Sequence, residues 1–377
     1  MARSRIAPRF TSSAIRSDGP EAEGISEHES RPEPPDRDHP AGAPALTHVA
    51  PGRPTPAEAT PGVRHVLPRH GRPRGATFAD RDGLIGAFML APAVIYVIAL
   101  VGLPFFLAIA LSLSNATVGD PTIHHFVGLA NFISVVQESA FLLALRNSVI
   151  VTLASLVLLT ILTIIEVEIL ARDFPWKKLA EILLILPWAM PAALAAVGWL
   201  WLLDSEFSPI DWILRASGLL GPGTIFGPAM NMFYLGREWL GLASIVIINV
   251  WRLLPLATVI VLAGRTAIPQ EIFEQAEVDG AGYFRVLFQI TIPGMATLLI
   301  VAVLFTVLVI FGDMTVVALT TRGGPGYTTE VLPYWAWLKG IQGGALSQGA
   351  AIALFLFPVL LAASIAALRM AYRGVER

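Results

Sequence analysis

Residues 274–293 read EQAEVDGAGYFRVLFQITIP, a polar and charged interruption between two long apolar segments. Pro269, just upstream, suits a first helical turn, where its missing N–H costs nothing. Glu271 and Glu274 then lie near the positive end of that helix, and Ile272, Phe273 and Ala276 recur at helical spacing. Asp279-Gly280 ends the helix, since Gly280 is free to adopt the left-handed conformation found at helix C-termini. A second amphipathic run follows, with Phe284, Leu287 and Phe288 on one side, and Pro293 marks the start of the next apolar segment. The stretch therefore reads as a short helix, a glycine turn and a second helix held at a membrane surface.

The composition agrees with a membrane setting. Of 377 residues, 55% are hydrophobic and 14% charged, with a mean hydropathy of +0.66, whereas soluble domains average about 25% charged. There is no cysteine, which excludes disulfides, thiolate metal sites and a cysteine nucleophile. The seven histidines (28, 39, 48, 65, 70, 124 and 125) all lie outside the apolar segments, so no histidine proton relay or metal site is expected inside a bilayer.

Residues 1–80 differ from the rest, being rich in Pro, Arg, Glu, Ala and Gly, with almost no aromatic residues and no apolar periodicity. Such a segment buries too little apolar surface to offset its ordering entropy and is expected to be a disordered cytoplasmic tail. From Leu84 onward six apolar segments reach spanning length, at 84–112, 143–170, 180–203, 239–263, 293–318 and 347–369. Pro92, Pro104, Pro187, Pro191, Pro255 and Pro358 fall inside them and predict kinks. The expected fold is an all-α polytopic membrane protein, its transmembrane domain covering 84–372 and its cytoplasmic loop 268–293.

Cationic residues near the segment ends orient the chain. One side holds Arg64, Arg69, Arg72, Arg74 and Arg81, then Arg172, Lys177 and Lys178, then Arg265 and Arg285, then Arg369, Arg373 and Arg377. The other holds Arg146, Arg215, Arg237, Arg322 and Lys339. The richer side is read as cytoplasmic, which places both termini and the 274–293 loop there. In the outward loops, Ser208-Pro209 predicts a capped surface helix ending near Gly218. Tyr334, Trp335 and Trp337 beside Lys339 predict an interfacial aromatic anchor.

The 274–293 stretch resembles the EAA loop of binding-protein-dependent ABC importer permeases, EAAxxDGAxxxxxFxxIxLP. Glu274, Ala276, Asp279, Gly280, Ala281, Ile290 and Pro293 fall on its positions; Gln275, Leu287 and Ile292 depart from it. FVGLANF at 126–132 with Arg146-Asn147-Ser148, LPWAMP at 186–191 with Trp199, and LTTRGGPGYTT at 319–329 are similar to further family stretches. Together they resemble the maltose- and glycerol-phosphate-type permease. The resemblance implies a maltose-permease-like arrangement of six transmembrane helices and a cytoplasmic coupling helix that docks into a separate ATPase subunit. It also implies a heterodimer with a second, different permease, two copies of the ATPase, an extracytoplasmic solute-binding protein and contact with membrane lipid. Glu274, Ala276, Asp279, Gly280, Ala281 and Arg285 would carry the coupling. ATP and Mg would be bound by the partner ATPase subunits and no cofactor by this chain.

The residues themselves agree with a non-catalytic transport subunit. No GxxxxGK[ST], HExxH or GxSxG pattern is present, and no feature points to nucleic acid. Polar groups inside apolar segments are costly and so are functional candidates. Asn249, Trp251, Arg252 and Asp313 supply the amide, guanidinium, carboxylate and aromatic face that sugar recognition needs, and are the candidate substrate pathway. Arg252 pairing with Asp313 as structure is the alternative. Glu166 and Glu168 are expected near the membrane surface, paired with Arg172. The expected function is import of a carbohydrate, polyol or glycerol phosphate by alternating access. A non-sugar solute, or an ATP-independent secondary transporter, are the alternatives.

Overall fold

The computed structural model describes residues 81–375. The tail expected over 1–80 lies outside the described residues. The helices in chain order are α1 (Arg81–Val97), α2 (Leu103–Ser112), α3 (Ala130–Gln137), α4 (Ser139–Leu170), α5 (Lys177–Ala189), α6 (Ala192–Leu202), α7 (Pro209–Ala216) and α8 (Glu238–Thr266). They continue with α9 (Gln270–Val278), α10 (Tyr283–Val286), α11 (Ile292–Gly294), α12 (Ala296–Gly312), α13 (Thr315–Leu319), α14 (Leu332–Trp337), α15 (Leu346–Leu354) and α16 (Leu356–Val375). Among the described residues the only β pairing is a single bridge between Ser114 and Phe126.

Four uninterrupted stretches are long and apolar enough to cross a membrane: Phe88–Ser112, Ser139–Leu170, Glu238–Thr266 and Leu346–Ala371. The other two expected spans are broken. α5 and α6 meet at 100°, and the segment Tyr283–Gly294 meets α12 at 71°. The first break has a local cause. Met190 is extended (ψ 132°), as steric clash with the ring of the following Pro191 demands. At the second break Pro293 brings no N–H to the ladder. By contrast Pro255 lies inside α8, a helix of 29 residues that continues through it.

The core forms where α4 and α8 pack along each other and against α12. Leu159 and Val167 meet Ile245, Ile248 and Val261 from α8, with Met295 and Ala302 completing the cluster. A smaller cluster joins Phe141 and Ala144 to Leu332, Trp335 and Ile352. Outside these the apolar surface is extensive: Phe88 is 80% exposed and Phe106 69%. Apolar faces of this extent need hydrocarbon or another subunit against them.

The loops are stapled by side chains. Asn131 donates from Nδ2 to the carbonyls of Ser112 (2.8 Å) and Ser114 (2.7 Å), holding the turn after α2. Asn147 donates to the carbonyls of Thr328 and Glu330, both at 2.9 Å, and Ser148 Oγ accepts from the Leu332 N–H at 2.8 Å. α4 thereby fixes the loop before α14. The capped helix expected near 208 is α7, where Ser208 Oγ accepts from the Asp211 N–H. The aromatic anchor expected at 334–337 is corrected: Tyr334 and Trp335 are core residues, each 5% exposed. Trp335 turns inward against Phe141, at 6.0 Å between ring centroids, because the α14 face that carries it packs on α4.

Candidate functional site

α9 begins after Pro269, which sits one position before the helix rather than in its first turn. It ends in a closed C-terminal motif. The Ala281 N–H bonds the Ala276 carbonyl (2.9 Å) and the Gly280 N–H bonds the Glu277 carbonyl (3.0 Å). This pair of hydrogen bonds needs a left-handed residue just past the helix end, and Gly280 there has φ +71°. The motif also favours apolar contact between the residues whose backbones it joins, here Ala276, 7% exposed, and Ala281. The spacing of Ala276, Gly280 and Ala281 is thus the spacing of a helix stop.

The fold brings four of the predicted coupling residues together. Ala276, Asp279, Ala281 and Arg285 line one cleft of about 420 Å³ between α9 and the helix that follows. Arg285 is held there by its Nε–H donating to Gln289 Oε1 at 3.2 Å. Glu274 faces a separate shallow groove with Glu271 and Val278, and Val278 is 88% exposed. Gly280 stands at the turn. Beyond it the expected single face of Phe284, Leu287 and Phe288 is split. Leu287 is buried while Phe284 and Phe288 are exposed, because Leu287–Thr291 forms a wide π-helical turn.

Two arginines tie this unit to the spans. Arg265, in the last turn of α8, donates from Nε to Glu168 Oε1 at 3.0 Å, and its guanidinium carbon lies 4.1 Å from the centroid of Phe273 on α9. Arg172 lies 5.8 Å from the centroid of the Tyr283 ring. The expected pairing of Glu166 and Glu168 with Arg172 is therefore corrected. Glu168 takes Arg265, and Glu166 accepts from Thr258 Oγ1 at 2.7 Å, because both carboxylates face the long neighbour α8. Sequence reasoning gave Glu168 the wrong arginine and gave Phe273 no part beyond helical spacing; their positions on two different helices gave no linear signal for the contact with Arg265.

In the interior, Arg252 and Asp313 meet at 2.6 Å. Asp313 lies not within a continuous fifth span but in the two-residue gap between α12 and α13, as the residue following α12. Its Oδ1 accepts from the Thr315 N–H (2.7 Å), satisfying one of the donors freed at the start of α13. Asn249 donates to the Ile245 carbonyl and its oxygen lies 3.4 Å from Arg252. Trp251 is turned away from this pair's hydrogen bonds and packs edge-on against Trp199, 5.6 Å between centroids. Asn249, Arg252 and Asp313 are thus one connected group, with Trp251 beside them in sequence and joined to α6.

Comparison with known proteins agrees with an all-helical domain that has broken third and fifth spans and a short helix closed by a glycine turn. Residues 163–373 match the family described as binding-protein-dependent transport system inner membrane component. This chain belongs to that family.

The permease is 27% identical over 305 residues to the diacetylchitobiose uptake system permease protein DasB of Streptomyces coelicolor, covering 80% of this chain and 91% of that protein. It is 28% identical over 290 residues to the trehalose/maltose transport system permease protein MalF of Thermococcus litoralis, covering 77% and 94%. The sulfoquinovosyl glycerol transport system permease protein SmoG of Agrobacterium fabrum is 24% identical over 301 residues, covering 79% and 94%. A bacterial ABC transporter that imports the acidic polysaccharide alginate shares the fold, with a TM-score of 0.62 and 20% identity over 78% of the permease and 96% of that chain. The family resemblance read from the EAA-like stretch is thereby borne out.

Proposed function

We propose that the permease carries a carbohydrate or related polar solute inward across the cytoplasmic membrane by alternating access, powered by ATP hydrolysed on two copies of a separate ATPase subunit. The observation that carries the reading is the α9–Gly280–α10 unit. Its short helix is closed by two backbone bonds and attached to the ends of α4 and α8, while Glu271, Glu274 and Val278 stay exposed for a partner. The solutes named for DasB, MalF and SmoG are all sugars or sugar derivatives, which supports the substrate class. A solved alginate transporter in complex with an alginate pentasaccharide-bound periplasmic protein supports delivery by an extracytoplasmic binding protein.

In this reading ATP and Mg sit on the ATPase subunits, a second and different permease completes the pathway, and both termini and the 268–293 loop face the cytoplasm. Glu274, Ala276, Asp279, Gly280, Ala281 and Arg285 form the docking unit. Asn249, Trp251, Arg252 and Asp313 line the pathway, where solute hydroxyls compete with the Arg252–Asp313 pair for hydrogen bonds. The test is to purify the tagged full chain from its own membranes, identify every partner by mass, and measure uptake of trehalose, maltose and diacetylchitobiose in reconstituted vesicles. An ATPase with a second permease, and uptake of a sugar that stops without ATP, is the expected result. A chain purified only with copies of itself, or uptake that persists without ATP, would overturn the reading.

A further inference from the structure

Arg265 has two partners on two different elements. Its Nε–H donates to Glu168 near the end of α4, and its guanidinium face lies over Phe273 on α9. The ion pair is largely buried, with 18% of the Arg265 side chain and 12% of the Glu168 side chain exposed. A planar guanidinium can hydrogen-bond at its edge and stack on its face at once; an ammonium cannot. α8 ends at Thr266 and α9 starts at Gln270, so the link between them is three residues, including Pro269. Ile268 in that link packs against Gly294, with its Cδ1 2.6 Å from where a Cβ at 294 would stand. Across the glycine turn, Arg172 approaches the Tyr283 ring from the segment after α4.

We propose that Arg265, clamped between Glu168 and Phe273, locks α9 to the ends of α4 and α8, so that these helices move as one body. Arg265 is then a positioning residue for coupling, and the Arg172–Tyr283 contact plays the same part for α10. The inference rests on α9 docking against the ATPase, and it adds the means by which force on α9 reaches the helices that form the core. Without the clamp α9 remains folded, because its own closure at Gly280 does not involve Arg265. The ATPase subunit then moves α9 while the spans lag behind.

This chain has no native cysteine, so labels go only where cysteines are introduced in it, with any cysteines of its partners replaced. Spin labels are placed by Glu277→Cys, exposed on α9, and Ile169→Cys, 54% exposed on α4, in the full complex. Their separation is measured without nucleotide and after trapping with MgATP and vanadate, alongside ATP hydrolysis. With the clamp intact, one narrow distance persists in both states. Phe273→Leu and Arg265→Lys keep bulk and charge respectively but break the stack; each should broaden the distribution and make it differ between the states, with hydrolysis kept within twofold. Phe273→Trp, which restores a ring face, should return the single distance. A merely structural role gives no such rescue.

The proposal is overturned if the distance changes between states with the clamp intact, or if Phe273→Leu and Arg265→Lys leave it unchanged. Should both variants lose the ATPase, Glu168→Leu decides the matter: it removes the oxygen that accepts from the Arg265 Nε–H, and an unchanged distance there overturns the clamp. Failure of the ATPase to co-purify with the unsubstituted chain would instead remove the docking reading itself, and the clamp with it.

Discussion

Replacing Asp313 by Asn removes one charge from a pair that meets at 2.6 Å with only 10% of the Arg252 side chain and 17% of the Asp313 side chain exposed. Breaking a buried pair from one side leaves an uncompensated charge, at a cost of about 3–5 kcal/mol. Asn keeps an oxygen for the Thr315 N–H that Asp313 now caps, so Asp313→Asn belongs at the low end, about 3 kcal/mol. Asp313→Ala also loses that cap, worth roughly a further 1 kcal/mol. At roughly 1–2 °C per kcal/mol for a chain of this size, Asp313→Asn should lower the thermal midpoint of the purified complex by roughly 3–6 °C. The double change Arg252→Met with Asp313→Leu removes both charges and should restore most of the midpoint, since apolar replacement of a whole buried pair is often neutral or stabilising. Uptake separates the two roles of the pair. If Arg252 and Asp313 meet solute, the stable double variant stays inactive. A midpoint for Asp313→Asn within roughly 2 °C of the unsubstituted chain would refute the energetic reasoning. A double variant with full uptake would refute the pathway assignment.

Three further outcomes are expected. Gly280→Ala meets no atom within 4 Å but forces a side chain into φ +71°, costing about 1–2 kcal/mol locally. Gly280→Pro cannot adopt that angle and also deletes the N–H bonded to Glu277, so transport should fall in the first and vanish in the second while membrane insertion, followed by fractionation, is kept. Glu330 is 1% exposed and neither carboxylate oxygen has a hydrogen-bond partner among the described residues; burial pushes its pKa up to about 7 from 4.5. The folded chain then holds a proton that the unfolded chain has released, so stability should fall as pH rises from about 4.5 to about 7 and level off above. Glu330→Gln should flatten this slope and melt higher than the unsubstituted chain at pH 8, by scanning calorimetry. Gly349→Ala would put a Cβ 2.4 Å from the Gly340 Cα, a backbone atom that cannot swing aside, and should destabilise by more than the roughly 1–3 kcal/mol of ordinary overpacking. Gly312→Ala, with nothing within 4 Å, is the matched control in the same melting assay.

The amino-acid sequence by itself determined the class of protein, the number and place of the apolar segments, and the turn at Gly280. These follow from composition, spanning length and the one residue type that tolerates a left-handed backbone, all of them local properties. It also made the family legible, because Glu274, Ala276, Asp279, Gly280, Ala281, Ile290 and Pro293 fall on the positions of the EAA loop that the stretch resembles, and the family match over residues 163–373 bears the resemblance out. Only the tertiary structure decided how prolines act. Pro191, after an extended Met190, breaks the third span at 100°, while Pro255, in the helix that packs along α4, leaves α8 whole. Tertiary structure alone also decided the ion pairs. Arg172 is four residues from Glu168 in sequence, yet Glu168 takes Arg265 from 97 residues away. A buried carboxylate bonds to whatever donor the packing of α4 on α8 brings to it, and no linear spacing records which donor that will be.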